Sequence, residues 1–321
     1  PKKFKREIIK NLKKKYKVFI FEYNSNEKIK SFTQVNNLIN KCLFNNFNRS
    51  DVLIAFGGGV LGDFCGFVAS ILKRGINFVN VPSTLLAQVD SSIGGKTGVN
   101  AEYGKNLIGA FYQPKIVLTD ISLLKSLPKR EMVCGFAEIL KHSIIFKNKF
   151  FKFLNINSNK ILSAKNDNLL KKAIYESCKI KLFYVGKDFS ENNVRMILNF
   201  GHTFAHAIEA KNKFSKKINH GEAVLIGMMM ATKISAYKKI CSNQTLQMLT
   251  NFYKNNNLNY NLKKVFNKKE INKILSFMKN DKKNKKEKKS LILLKKIGKT
   301  TNPGSQKFSE KDLKKLIQKV I

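Results

Sequence analysis

Apolar residues follow two kinds of pattern along this chain, and the change between them comes near Asp120. Residues 51–56 form a short, largely apolar run leading into Gly57-Gly58-Gly59, as a buried strand entering a tight turn does. Val60, Phe64, Phe67, Val68 and Ile71 then recur at mixed three- and four-residue spacing, which predicts a helix closed by Arg74-Gly75. Residues 76–81 form a second apolar run, stopped by Pro82, and 115–119 form a third. Strand, glycine turn, helix and strand in succession predict a parallel sheet with crossover helices. One more strand is predicted at 18–21, within a first stretch of fifty residues rich in Lys and Asn. Beyond Asp120 strand-like runs largely cease, and 129–147, 168–187, 192–211 and 221–239 carry helical patterns. The pattern therefore predicts an α/β N-terminal domain over residues 1–121 and a mostly α-helical C-terminal domain over 122–321. No internal repeat is visible.

The length of 321 residues suffices for one large domain or two ordinary ones, and a hydrophobic content of 43% is that of a globular chain. The richest apolar stretch, 223–231, is interrupted by Gly227 and is far too short to span a bilayer, so no membrane partner is expected. No basic-then-apolar segment opens the sequence, so no secretory signal is expected either. Cys42, Cys65, Cys134, Cys178 and Cys241 stand singly, without the close pairs of a zinc ribbon or a disulfide framework, which points to a reducing cytoplasm. Charge changes the picture most. The 61 Lys and Arg against 21 Asp and Glu give a formal +40, a balance that raises nucleic acid as a partner. The lysines are spread along the whole chain, however, and accompany abundant Asn, Ile and Phe with no Trp, the usage that AT-biased coding produces. Weak, salt-sensitive adhesion to polyanions is expected, and specific nucleic-acid binding is not.

Candidate chemistry concentrates in three places. Residues 82–100 show no strand or helix period beyond 85–89, and set Asp90 and Lys96 among glycines that allow close backbone approach; Lys105 and Asn106 follow. Such a mixture suits a small ligand bearing hydroxyls and phosphate. Gly57-Gly58-Gly59, after a strand and before a helix, offers backbone N–H groups to a pyrophosphate, although it is not the G-x-G-x-x-G fingerprint. Finally, three of the four histidines, His202, His206 and His220, fall in one short region. His202 and His206 are four apart and share a helix face, His220 begins the next helix, and Glu138 lies on a helix upstream. Histidines with a carboxylate and no cysteine suit Zn²⁺ at a catalytic site with open positions.

Five blocks together resemble the 3-dehydroquinate synthase family of the sugar phosphate cyclase superfamily, in the family's order and over nearly the whole chain. Besides residues 82–100, which resemble the family's signature loop, the five are Gly57-Gly-Gly-Val-Leu-Gly-Asp-Phe-Cys-Gly-Phe-Val-Ala69, Lys105-Asn-Leu-Ile-Gly109, Gly135-Phe-Ala-Glu-Ile-Leu-Lys141, Asn199-Phe-Gly-His-Thr-Phe-Ala-His-Ala-Ile-Glu209 and His220-Gly-Glu-Ala-Val224. The resemblance implies a Rossmann-like NAD-binding domain, apparently short at its N-terminus, followed by a helical metal- and substrate-binding domain. It also implies a phosphorus–oxygen lyase of the shikimate pathway. Such an enzyme converts 3-deoxy-D-arabino-heptulosonate 7-phosphate to 3-dehydroquinate and phosphate by NAD-dependent oxidation, β-elimination, re-reduction and aldol closure.

Residue by residue, the resemblance makes Glu138, His202 and His220 the ligands of Zn²⁺ or Co²⁺. It sets His206 near the substrate phosphate with Arg74, Lys96 and Asn106, where spacing alone leaves His206 open as a ligand. Arg74 would reach across a homodimer interface. Lys181 and Arg195 match a clamp on the substrate carboxylate, and Asp90, Lys141 and Asn199 match hydroxyl contacts beside the metal. Lys283, in Asp281-Lys282-Lys283, matches a late substrate lysine, and Glu191 matches an acid of the family pattern. NAD would meet Gly58, Gly59, Asp63, Ser83, Thr84 and Lys105, with Glu27 and Lys30 from the segment Asn26-Glu-Lys-Ile-Lys-Ser31. The chain departs from the family at Phe189, where Glu is usual, at Ala205, where Gly is usual, and before Pro1, where the opening strands have no counterpart. That last departure implies a fragment or a trimmed adenosine pocket. A sister cyclase, or a metal-dependent polyol dehydrogenase of the same fold, is the alternative; the carboxylate clamp favours dehydroquinate synthase over the cyclases, and the phosphate contacts and clamp together favour it over the dehydrogenases.

Overall fold

The computed structural model describes residues 2–24, 26–212, 215, 217–258, 260–279 and 288–321. The chain divides into two compact units, Pro1–Met132 and Val133–Ile321. In the first, helices α1 (Lys2–Lys13) and α2 (Phe32–Phe44) precede strand β1 (Val52–Gly57), helix α3 (Gly59–Ile71) and strand β2 (Asn77–Pro82). Strands β3 (Lys96–Ala101) and β4 (Gly104–Phe111) follow as an antiparallel hairpin, and β5 (Ile116–Val117) closes the series. β2 lies between β1 and β5, and all three run parallel, as the strand–helix–strand pattern predicts. Phe64, Phe67, Val68 and Ala69 of α3 are buried in one core with Leu53, Ala55 and Phe78 of the sheet. At about 1.5–3 kcal/mol for each large side chain, that face anchors the first turn of α3 where β1 ends.

Two expectations fail in this unit. Residues 18–21 form no strand, because no ladder partner lies beside them among the described residues. Their aromatic rings pack instead, Phe19 and Phe21 on Phe47 at 5.7 and 6.5 Å between centroids. The segment from 96 onward, read as lacking a strand period, is half of a hairpin. Gly98 pairs with Gly109 across it, and a Cβ on Gly109 would lie 2.1 Å from the Thr97 carbonyl oxygen. Close backbone contact demands glycines there, and glycines erase the alternation by which a strand is recognised.

The second unit is built on α4 (Lys129–Phe146), α5 (Asn148–Leu162), α6 (Asp167–Lys187), α7 (His202–Lys211), α8 (His220–Tyr237), α9 (Asn243–Asn255), α10 (Leu262–Val265), α11 (Lys268–Lys279) and α12 (Glu310–Val320). Two small antiparallel pairs, Lys289–Ser290 with Lys307–Phe308 and Leu294–Lys296 with Lys299–Thr300, interrupt the helices. α8 is buried along most of its length, with α7, α9 and α12 packed on it. A reciprocal cap between Asn219 and Glu222 starts α8 at His220. The single helix expected over 192–211 is broken. Val194–Asn199 is a 3₁₀ turn, and Gly201 then takes φ 80° before α7 begins at His202. A side chain on Gly201 would collide with Met228 of α8 at 2.7 Å, so the break and the α7–α8 packing depend on the same glycine. Among the described residues no helix is long and apolar enough to cross a membrane.

Candidate active site

In the first unit the end of β1 delivers the chain directly into α3, whose N-cap is Gly58. No side chain caps that helix, which leaves its first N–H groups without a side-chain acceptor, and Ser83 is held alongside by its N–H to Gly57 O (2.9 Å). Thr84 spends its hydroxyl on the Ala87 N–H (3.2 Å), at the turn that carries Asp90. A polar network gathers five more of the candidates. Lys30, 3% exposed, donates its ammonium to Asp63 Oδ2 (2.7 Å) and to Asn106 Oδ1. Glu27 accepts from Lys105 Nζ and Asn100 Nδ2, both at 2.9 Å. Burial would raise the Glu27 pKa, but those two hydrogen bonds and the lysine charges outweigh it and hold the carboxyl below its ordinary value. Arg74 and Lys96 are exposed at the edge of this unit. Arg74 (φ 65°) and Asn106 (φ 53°) both hold left-handed backbone, as does Glu191 (φ 57°) in the second unit. Non-glycine residues keep such geometry only where their surroundings enforce it, and such positions gather at ligand sites.

In the second unit Glu138 of α4 is wholly buried. Its Oε2 meets the ammonium of Lys141, one turn along, and its Oε1 faces Nε2 of His202 at 3.4 Å and of His220 at 3.6 Å. The opposite ring nitrogens fix the protons. His202 Nδ1 lies 3.3 Å from the Phe200 carbonyl and His220 Nδ1 lies 3.2 Å from Glu209 Oε2, acceptors that can only receive an N–H. Burial and then the Lys141 charge lower the His202 pKa below its ordinary value, against the opposing pull of Glu138. Burial alone would raise the Glu138 pKa; Lys141 and the two imidazoles outweigh that and keep it well below the carboxylate range. Burial would likewise lower His220, yet Glu138 and Glu209 lift it to about 10. A buried anion with two convergent imidazoles, each oriented by an acceptor behind it, is the donor set of a metal with open positions. The donor atoms of Glu138, His202 and His220 lie within 4.8 Å of one another. His206, exposed on α7, has its ring 5.5 Å from His202 and lies outside that group.

Family models settle which proteins share these two units. That of the 3-dehydroquinate synthase N-terminal region matches residues 20–134, and that of the C-terminal region matches 135–284. The chain belongs to the 3-dehydroquinate synthase family. It is 48% identical over 321 residues to the 3-dehydroquinate synthase of Pelagibacter ubique, covering 100% of this chain and 86% of that one. It is 44% identical over 292 residues to that of Dictyoglomus thermophilum, covering 91% and 80%. Among solved structures it resembles a 2-deoxy-scyllo-inosose synthase complexed with carbaglucose-6-phosphate, NAD⁺ and Co²⁺, with a TM-score of 0.86 at 26% identity over 100% of this chain and 88% of that one.

Within this family member the remaining candidates sort by unit. Lys181 of α6 and Arg195 are both buried, at 6% and 2% exposed, and α6 packs on the 3₁₀ turn that carries Arg195. Asn199 donates to Glu191 Oε1 at 2.8 Å. Arg195 Nη1 donates to the Phe189 carbonyl, so position 189 serves through its backbone and Phe stands where Glu is usual without loss of that contact. Ala205 is fully buried in α7, where Gly227 of α8 lies against it. Lys283 lies outside the described residues.

Sequence reasoning missed Asp188, Asn100 and Glu209. Glu209 carried a signal, since it falls seven residues after His202 on the same helix face. Glu209→Gln keeps the shape but turns the Nδ1 acceptor into an amide. We expect metal affinity to fall about 10–100-fold, read by competition with a chelator on the purified protein. Unchanged affinity would show that Glu209 does not orient His220.

Proposed function

We propose that this chain converts 3-deoxy-D-arabino-heptulosonate 7-phosphate to 3-dehydroquinate and phosphate, with NAD⁺ and a divalent metal, Zn²⁺ or Co²⁺. The observation that supports this reading best is the pairing, in one unit, of the Glu138–His202–His220 donor set with two buried cations, Lys181 and Arg195. Carbaglucose-6-phosphate, bound by the inosose synthase, bears phosphate and hydroxyls but no carboxylate, so two buried cations favour a substrate with a carboxylate as well.

Glu138, His202 and His220 would hold the metal, which would supply Lewis acidity to the substrate hydroxyls, and the nucleotide would supply a reversible hydride acceptor. Asp90, Lys141 and Asn199 position those hydroxyls, and Lys141 also balances the Glu138 charge. Glu191 acts through Asn199, to which it is hydrogen-bonded. Arg74, Lys96, Asn106 and His206 receive the phosphate, and Lys283 adds a late cation to the substrate. Gly58, Gly59, Ser83 and Thr84 would hold the pyrophosphate, and Glu27, Lys30, Asp63 and Lys105 would hold the rest of the nucleotide. Exposed Arg74 reaches the partner's site in a homodimer, and five free thiols accord with a cytoplasmic enzyme.

The test is an assay of purified protein with the heptulosonate phosphate, NAD⁺ and Zn²⁺ or Co²⁺. Phosphate release should depend on NAD⁺ while nicotinamide absorbance stays flat, because the hydride goes back. Absorbance rising in step with product would identify a dehydrogenase instead.

A further inference from the structure

Five residues given to the nucleotide and the phosphate, Glu27, Lys30, Asp63, Lys105 and Asn106, are tied together by one residue that has no role in that reading. Asn100, on β3, uses three separate groups on three of them. Its side-chain Nδ2 donates to Glu27 Oε2 at 2.9 Å. Its Oδ1 accepts from the Asn106 N–H at 3.0 Å, and its own N–H donates to the Lys30 carbonyl at 2.9 Å. The amide orientation is dictated by chemistry, since a carboxylate can only accept and a backbone N–H can only donate. A carboxylate can only accept and an ammonium can only donate, so neither does both jobs at once.

Asn100 completes restraints that the lysines only begin: Lys105 holds one oxygen of Glu27, and Lys30 holds Oδ1 of Asn106. Glu27 has a lysine on one oxygen and depends on Asn100 for the other. Asn106 holds φ 53°, a conformation that costs a non-glycine residue energy unless its N–H is anchored. We propose that Asn100 is the positioning residue of this site: it sets Glu27 for the nucleotide and Asn106 for the substrate phosphate. The proposal rests on the assignments under Proposed function.

Two substitutions separate the two jobs. Asn100→Asp keeps an acceptor for the Asn106 N–H, loses the donor to Glu27 and sets a second carboxylate against it. Asn100→Ala loses both. In calorimetric titrations of the whole protein, N100D should weaken NAD⁺ binding about tenfold or more, the scale of one hydrogen bond to a charged group. Its KM for the heptulosonate phosphate should stay within about threefold of the parent, whereas N100A should raise that KM about tenfold and weaken NAD⁺ as well. Thr97→Val serves as the control, because it removes a hydrogen bond of the same hairpin, Thr97 Oγ1 to the Ala110 carbonyl, and touches none of these residues. Its NAD⁺ affinity should match the parent, and equal weakening by T97V and N100D would reduce Asn100 to hairpin stability and overturn the proposal. N100D binding NAD⁺ as the parent does would overturn it too. A parent that binds NAD⁺ but turns nothing over would sink the proposed reaction, and the calorimetric ratios would still decide the role of Asn100.

Discussion

His220→Ala should abolish metal retention and turnover together, while His206→Ala should keep the metal and lose activity alone. Spacing alone leaves His206 open as a ligand, and the geometry sets it apart from His220. His220 aims Nε2 at the buried Glu138 carboxylate from 3.6 Å and has Nδ1 fixed from behind by Glu209. His206 stands exposed beside His202, outside the convergent donor atoms. With only three protein donors, losing one leaves too few to hold an ion. Lewis-acid stabilisation is worth several kcal/mol, so turnover should fall by about three orders of magnitude. Folding should survive, because the reciprocal cap that starts α8 comes from Asn219 and Glu222 and not from His220. For His206→Ala a loss of about 10–100-fold in kcat/KM is expected, the scale of a charged hydrogen bond to substrate. Elemental analysis decides: if His206→Ala loses zinc as fully as His202→Ala, the division of labour between the two is wrong.

Legibility in the sequence followed the physics of each element. The β1–α3–β2 unit was readable because its strands are continuous apolar runs and Gly57-Gly58-Gly59 marks where one ends, although β1 buries only alternate residues, Leu53 and Ala55, and exposes Val52 and Ile54. The β3–β4 hairpin was not, because the glycines that let its strands approach have no side chains to alternate. Helices α5, α9, α11 and α12 went unread although each carries an amphipathic pattern. At the candidate metal centre the i,i+4 spacing paired His202 with His206. Glu138 lies 64 positions before His202, and only the packing of α4 against the start of α7 and α8 brings its carboxylate to both imidazoles. Residues that act through others, such as Asn100 and Asp188, leave no motif at all. Their partners are chosen by the fold, and a lone Asn or Asp in a loop is most often just a turn residue.

Arg195→Lys should cost about 1.5–3 kcal/mol in transition-state binding although the charge is kept, which is about one to two orders of magnitude in kcat/KM. The guanidinium is 2% exposed and is built into its place. Asp188 accepts from the N–H groups of Asn192, Asn193 and Arg195 at 3.0, 2.7 and 3.0 Å, and so folds the loop that presents the side chain. Slight burial pushes the Asp188 pKa up, but those N–H bonds and the Arg195 charge outweigh it, so the carboxylate stays ionised in its anchoring role. One terminal nitrogen of Arg195 is committed to the Phe189 carbonyl, which fixes the plane of the fork. A planar fork set in advance suits two parallel hydrogen bonds to a carboxylate; a lysine offers a point charge on a flexible stem and cannot reproduce them. Lys181, also buried, supplies the point charge already. The decisive comparison uses a substrate analogue without the carboxylate. The parent should handle it poorly, and parent and Arg195→Lys should handle it almost equally, because the group that tells them apart is gone. If the variant loses as much on the analogue as on the natural substrate, Arg195 serves the fold of its loop, and the preference for a carboxylate-bearing sugar phosphate loses its main support.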